Sequence, residues 1–232
     1  MGVVQRLILF DIDGTMLSTA GQAGGAFREA LSAVYGVAGP WEGYSFAGKT
    51  DPQIAHDLLR LSGLARETVE RGLPDVWEHY LAGLEERLRG VRVELLPGVR
   101  PLVERLHASP RAVLGLLTGN VREGARLKLT AAGLDFRHFA VGAFGSDHAE
   151  RRELPALAIY RAEERFGHRF QGKEVVIIGD TPFDISCGER LGVRTLAVAT
   201  GSYSHEELAR CSPDHLFPSL RDTEAVWRAI FD

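Results

Sequence analysis

Short, nearly unbroken apolar runs alternate along this chain with longer stretches in which apolar residues recur every three or four positions. The runs at residues 3–10, 112–117, 139–143, 174–179, 195–199 and 215–217 predict strands. Continuous apolarity suits strands covered on both faces, so a parallel sheet is expected. Helical spacing covers residues 99–109, 122–132, 154–166 and 184–191, and Gly133, Gly167 and Gly192 stand where helix C-termini favour glycine. Strand and helix in alternation predict an α/β fold built on a doubly wound parallel sheet.

One region breaks the alternation. Residues 20–35, 52–61 and 66–89 carry apolar positions at helical spacing with no buried strand among them. Gly72-Leu73-Pro74 interrupts the third, so two helices are expected there. The stretch is too long for a single crossover in a compact sheet. It reads as an inserted all-α cap domain over residues 17–92, with residues 1–16 and 93–232 forming the core. Leu95-Leu96-Pro97-Gly98 is the expected hinge on the return path.

Composition narrows the partners. The 232 residues are 45% hydrophobic and carry a net charge of −4, which leaves no basic footprint for nucleic acid or an anionic membrane. No run approaches the roughly 20 apolar residues that span a bilayer. The first apolar run is short and reaches two acids by position 13, so no secretory leader is expected. Cys187 and Cys211 lie in no metal or redox spacing, which fits free thiols in a reducing, cytoplasmic setting. The eight histidines show no metal-type spacing either. Oligomeric state is left open.

Three strand ends carry the chemistry. The first run ends in Asp11-Ile12-Asp13-Gly14-Thr15. Residues two apart in an extended segment point to one side, and two carboxylates so placed repel unless a cation neutralises them. Mg²⁺ suits such a pair, although Asp-Gly alone also reads as an ordinary turn. The second, Thr118-Gly119-Asn120, could bind an anion at a helix N-terminus or simply cap that helix. The third, Gly179-Asp180-Thr181-Pro182-Phe183-Asp184, puts one acid at a strand's end, while Asp184 could merely cap a helix. In open α/β sheets ligands gather outside the carboxyl ends of the strands, so the three segments are expected to converge on one site.

Together these segments resemble the motifs of the haloacid dehalogenase-like (HAD) hydrolase superfamily. The resemblance runs over the whole chain, including a helical cap after the first strand as in phosphoglycolate-phosphatase-like members. It implies an enzyme, a phosphoric monoester hydrolase acting on a small phosphorylated metabolite. Asp11 would be the nucleophile that forms an aspartyl-phosphate, and Asp13 would protonate the leaving oxygen and then activate water. Mg²⁺ would be held by Asp11, the backbone carbonyl of Asp13 and Asp180, with Asp184 in support. Thr118, Gly119, Asn120 and a cation would bind the phosphoryl oxygens. The family usually has a Lys before the helix after the third strand. Here Arg152, three residues before Pro155, is the expected replacement, and Arg151 is read as a solvated loop charge.

Cap residue Lys49, in Gly48-Lys49-Thr50-Asp51, is a candidate substrate contact, although a helix N-cap at Thr50 or Asp51 explains much of that sequence. Dehalogenation is disfavoured, because it has no use for the acid/base Asp13. A sugar-phosphate mutase shares every core residue. A phosphonate hydrolase would need a cap lysine, for which only Lys49 is offered. A catalytically silent binding module would have no need of the costly acid cluster.

Overall fold

The computed structural model describes residues 5–232. Six strands form one parallel sheet in the order β5-β4-β1-β6-β7-β8. They are β1 (Arg6–Phe10), β4 (Ala112–Thr118), β5 (Val141–Phe144), β6 (Val175–Gly179), β7 (Arg194–Val198) and β8 (His215–Phe217). Central β1 pairs on both sides, Ile8 lying opposite Leu114 of β4 and Val176 of β6. The chain builds outward from β1 through β4 to β5, then crosses over and builds outward again from β6. That reversal leaves a crevice beside the C-terminal end of β1, where such sheets bind ligands.

The alternation of side chains divides β1 between two cores. Ile8 and Phe10 join a large apolar cluster with Leu102, Leu106 and Leu129. They pack there with α4 (Val99–His107) and α5 (Arg122–Ala131). Leu7 and Leu9 face the other side, against Leu154, Ala158 and Ala162 of α6 (Leu154–Phe166). Each leucine, isoleucine or phenylalanine side chain so removed from water contributes about 1.5–3 kcal/mol. The remaining elements on this body are α7 (Pro182–Ser186), α8 (His205–Arg210) and α9 (Thr223–Phe231).

The helical stretch contributes no strand to the main sheet. Its exit and return are joined by a two-stranded antiparallel ribbon, β2 (Leu17–Ser18) with β3 (Glu94–Leu95). Between them lie α1 (Gln22–Tyr35), α2 (Asp51–Leu61) and α3 (Arg66–Arg89). Phe27 of α1 stacks parallel to Trp77 at 5.9 Å and meets Tyr80 edge-on at 5.2 Å. The large apolar cluster runs without a break from β1 into these helices.

Several expectations need correction. Residues 66–89 form one helix, with Pro74 inside it. Val69, Val76, Tyr80, Leu84 and Leu88 are all buried along one stripe, and that packing carries the helix through the proline. The Tyr35 hydroxyl donates to the Val69 carbonyl at 2.6 Å beside the same turn. The helix expected at 184–191 is a short α7 followed by a 3₁₀ turn at Glu189–Leu191. Val3 and Val4 of the first expected strand lie outside the described residues. The ribbon, α8 and α9 were not foreseen, since two-residue strands and one- or two-turn helices leave little periodicity to read.

Candidate active site

Three strand ends do meet. Beyond β1 the chain stays extended for one more residue, the Asp11 amide donating to the Ile178 carbonyl at 2.9 Å. It then turns tightly, with Gly14 at φ +85°. A Cβ on Gly14 would lie 2.4 Å from Asp180 Oδ2, so both the left-handed backbone and the close carboxylate require glycine. The Thr15 hydroxyl donates to Asp180 Oδ1 at 2.7 Å, tying the first loop to the end of β6.

Asp11, Asp180 and Asp184 each bring one oxygen within 4.8 Å of the others, and all three are buried. Burial pushes the Asp11 carboxyl up to about 6, with Arg151 pulling the other way and Asp184 and Asp13 adding to the rise. Burial, then repulsion from Asp11 and Asp184, pushes Asp180 up to about 8. Such a cluster is short of positive charge. Its donors are all oxygen, the set that a hard divalent cation such as Mg²⁺ prefers, so the residues fit that ion. Asp184 has a second duty: its Oδ2 accepts from the Thr181 amide and hydroxyl at 3.0 and 2.8 Å, capping α7.

The cation in the cluster is Arg151, and the expectation for Arg152 is corrected. Arg151 is buried, with Nη2 2.9 Å from Asp11 Oδ1 and hydrogen-bonded to Asp184 Oδ1. Arg152 is 65% exposed and pairs with Glu150 and Glu153 on the surface. The reason is helical phase. Both arginines lie in a 3₁₀ turn that runs into α6, and Arg151 is three residues before Leu154 and seven before Ala158, which face the sheet. Although burial opposes its charge, Asp184 and Asp11 hold the Arg151 guanidinium above its ordinary value. Its Nε is buried with no partner among the described residues.

The second strand end is joined to Asp13. Thr118 Oγ1 accepts from Asn120 Nδ2 at 2.7 Å, and the same amide donates to Asp13 Oδ2 at 2.7 Å. A lysine that sequence reading passed over completes the group. Lys128 of α5 is buried, 2.6 Å from Asp13 Oδ2 and hydrogen-bonded to Asn120 Oδ1. The signal was there: Val121, Ala125, Leu129 and Ala132 mark the buried stripe of this helix, and Lys128 falls within it. Asn120 thus orients its neighbours through its side chain.

The inserted helices close over this edge. The Asp51 amide donates to the Gly119 carbonyl at 2.7 Å, and Asp51 Oδ2 accepts from the Val121 amide at 2.8 Å. The backbones approach so closely that a Cβ on Gly119 would lie 2.0 Å from the Lys49 carbonyl oxygen. Thr50 does cap α2, accepting from the Gln53 amide at 3.2 Å. Lys49 lines the cavity, but its ammonium is bound to Asp57 at 3.0 Å and to the Tyr44 hydroxyl at 2.9 Å. The cavity between the insertion and the core measures about 470 Å³ and is lined by Asp11, Asp13, Thr118, Arg151 and Asp180 on the core side.

A family model for haloacid dehalogenase-like hydrolases matches residues 5–192, and the chain belongs to that family. Among solved structures it is similar to a hydrolase from Pseudomonas syringae, at 22% identity and TM-score 0.73 over 98% of this chain and 100% of that one. A predicted phosphoglycolate phosphatase from Haemophilus somnus 129pt is 21% identical, with TM-score 0.70 over 96% and 98% of the two chains. A CbbY mutant from Rhodobacter sphaeroides, in complex with xylulose-(1,5)bisphosphate, is 21% identical with TM-score 0.75 over 94% and 96%. These likenesses establish the fold. No curated protein sequence matches. Among the described residues, no helix is long and apolar enough to cross a membrane.

Proposed function

We propose that the chain is a Mg²⁺-dependent phosphatase that hydrolyses a small phosphorylated metabolite through an aspartyl-phosphate at Asp11. The observation that carries this reading is the buried Asp11 carboxylate beside Asp180, Asp184 and Arg151, with Asp13 two residues on at the mouth of the cavity. Asp11, Asp180 and the Asp13 backbone carbonyl would hold the ion, with Asp184 supporting from nearby. When bound, Mg²⁺ supplies the positive charge that lets an anionic nucleophile approach an anionic phosphoryl group.

The chain's own groups divide the remaining work. Asp11 attacks phosphorus, and the bond to the leaving oxygen breaks as Asp13 donates a proton to that oxygen. Asp13 then takes a proton from the water that attacks the acyl-phosphate, returning Asp11 as a carboxylate and releasing inorganic phosphate. Asn120 and Lys128 hold Asp13 by Oδ2, and its Oδ1 faces no such partner among the described residues. The Thr118 hydroxyl and Arg151 bind phosphoryl oxygens, in the place first expected of Arg152. Residues 17–92 act as a cap that excludes water and selects the leaving group.

The test is phosphate release from p-nitrophenyl phosphate with Mg²⁺, with rapid acid quench to trap phosphorylated protein. Asp11→Asn should abolish both signals while the far-UV spectrum is unchanged. Full activity in that variant, or no trapped acyl-phosphate in the wild type, removes the nucleophile assignment. Transfer of the phosphoryl group between two positions of a sugar, in place of release, would make the chain a mutase.

A further inference from the structure

The cap lining of the cavity is not built for a second anion. The helical insertion contributes Ala23, Phe27, Trp41, Phe46, Ile54 and Tyr80 to the wall. The rings form one connected group: Trp41 lies 4.8 Å from Phe46 and 6.4 Å from Phe27, and Phe27 meets Tyr80 at 5.2 Å. Three cations line the cavity, namely Lys49, Lys128 and Arg151, and each already has a carboxylate partner. Lys49 is engaged by Asp57, Lys128 by Asp13, and Arg151 by Asp11 and Asp184. Four carboxylates, Asp11, Asp13, Asp51 and Asp180, line the same space.

We propose that the cavity takes a phosphate monoester whose leaving alcohol is neutral and carries a flat or apolar ring, such as an aromatic alcohol or a nucleoside. This class rests on the phosphatase reading above. The phosphoryl group is served by Arg151, Thr118 and the metal site. A carboxylate or second phosphate on the leaving group would then meet rings, Asp51, the neutral hydroxyls of Ser18 and Thr19, and a lysine whose charge Asp57 neutralises. Removing an anion from water into such a wall without a free cation is unfavourable. A ring there instead gains apolar burial and edge or face contact with the partly exposed Trp41 and Phe46. The cavity of about 470 Å³ has room for both a phosphoryl group and a ring.

Lys49 is therefore a specificity element by being neutralised. Its ammonium is 4.0 Å from the centre of the Tyr44 ring and bonded to that phenol, a geometry that holds it against the cap. Freeing that charge should open the site to anionic tails.

The experiment is calorimetric titration of the Mg²⁺-loaded protein with two non-hydrolysable probes, benzylphosphonate and phosphonoacetate. Benzylphosphonate should bind at least roughly tenfold tighter, in line with burial of one ring. Trp41→Leu should reduce that ratio several-fold, and Asp57→Asn should improve phosphonoacetate binding by releasing Lys49. Phosphonoacetate binding as tightly as benzylphosphonate in the wild type, or no measurable binding of either, overturns the proposal whatever the variants do. Turnover of phenyl phosphate is read separately. Tight benzylphosphonate binding with no phosphate released from phenyl phosphate would sink the phosphatase reading and leave the ligand class standing.

Discussion

The buried Lys128 reaches the half-exposed Asp13 at 2.6 Å, and Asn120 closes a triangle by donating to Asp13 and accepting from Lys128. One carboxylate oxygen of Asp13 is thereby fixed by two donors from the strand end and helix that follow. For a group proposed to move a proton to and from substrate, a fixed carboxylate keeps its free oxygen in a single place.

Lys128→Met removes the ammonium while keeping the stem that fills the buried stripe. It should lower kcat by roughly the 10²–10³-fold that a displaced general acid/base costs, with KM changed only a few-fold. Lys128→Arg should restore little, because a planar fork cannot place one charged nitrogen on both Asp13 Oδ2 and Asn120 Oδ1 as the compact ammonium does. Steady-state kinetics on p-nitrophenyl phosphate decide it. A large rise in KM with kcat intact would move Lys128 from positioning Asp13 to binding substrate.

The two arginines make an internal control. Arg151→Ala leaves Asp11 and Asp184 buried without their cation. Loss of one partner from such a pair costs about 3–5 kcal/mol. Thermal unfolding should show that loss in the absence of metal, and Mg²⁺ should recover part of it by neutralising the same carboxylates. Arg152 is on the surface, so Arg152→Ala should stay within about 0.5 kcal/mol and keep its activity. Equal effects of the two substitutions would contradict the placement.

That contrast also marks what the sequence could convey. Asp11, Asp13, Thr118 and Asp180 were legible because each ends an apolar run, and a polar residue at that point has few structural uses. The sheet was legible for the same reason, strands buried on both faces being unbroken apolar runs. Arg151 was misassigned because the phase was counted from Pro155, whereas the buried face of α6 begins at Leu154. Lys128 was passed over because a lysine on an amphipathic helix normally faces solvent, and only the acid across the crevice explains its burial. The Asp57 partner of Lys49 depends on how loop and helix fold together, and no local pattern announces it.

The two acids after β6 should differ in their effect on metal. Asp180 gives one oxygen to Thr15 and its other accepts no hydrogen bond among the described residues, whereas both oxygens of Asp184 are taken by Thr181 and Arg151. Asp180→Ala should weaken Mg²⁺ binding by more than roughly 100-fold. Asp184→Asn should weaken it less, in the roughly 10–100-fold range typical of residues that orient a ligand. Calorimetric titration with Mg²⁺ reads both. Unchanged affinity in Asp180→Ala would remove that residue from the metal site.

Asp51 gives the junction a pH dependence. Burial pushes its carboxyl up to about 6, with Lys128 and the Val121 amide pulling it down and Asp13 pushing it up. A folded value above the unfolded one means that the folded state holds the proton more tightly. The stabilisation is complete below about pH 3.8 and is lost as pH rises through about 6. Because the carboxylate borders a wet cavity, the effect should be about 1–2 kcal/mol. Urea unfolding of wild type and Asp51→Asn should diverge between pH 4 and 7, the wild type losing stability relative to the variant as pH rises. Parallel curves would show that this carboxyl titrates normally.

Gly119 offers a way to separate the helical insertion from the chemistry. The insertion rests on the strand end through the Asp51 amide on the Gly119 carbonyl and through Asp51 Oδ2 on the Val121 amide. A methyl group at Gly119 would stand 2.0 Å from the Lys49 carbonyl oxygen, which is backbone and cannot rotate away. Gly119→Ala should therefore hold residues 17–92 off the core while the sheet, its strands and the acid cluster remain intact. The unfolding midpoint should fall by a few degrees, the size of shift expected for about 1 kcal/mol in a chain of this length. The radius of gyration from solution scattering should rise, and kcat/KM should drop by at least roughly tenfold because a half-open lid admits water and loses its grip on the leaving group. Mg²⁺ affinity should stay close to wild type, since none of the carboxylates that would hold the ion moves. Full activity with an unchanged scattering profile would show that the two backbones can part locally, and that closure of the insertion is not what completes this site.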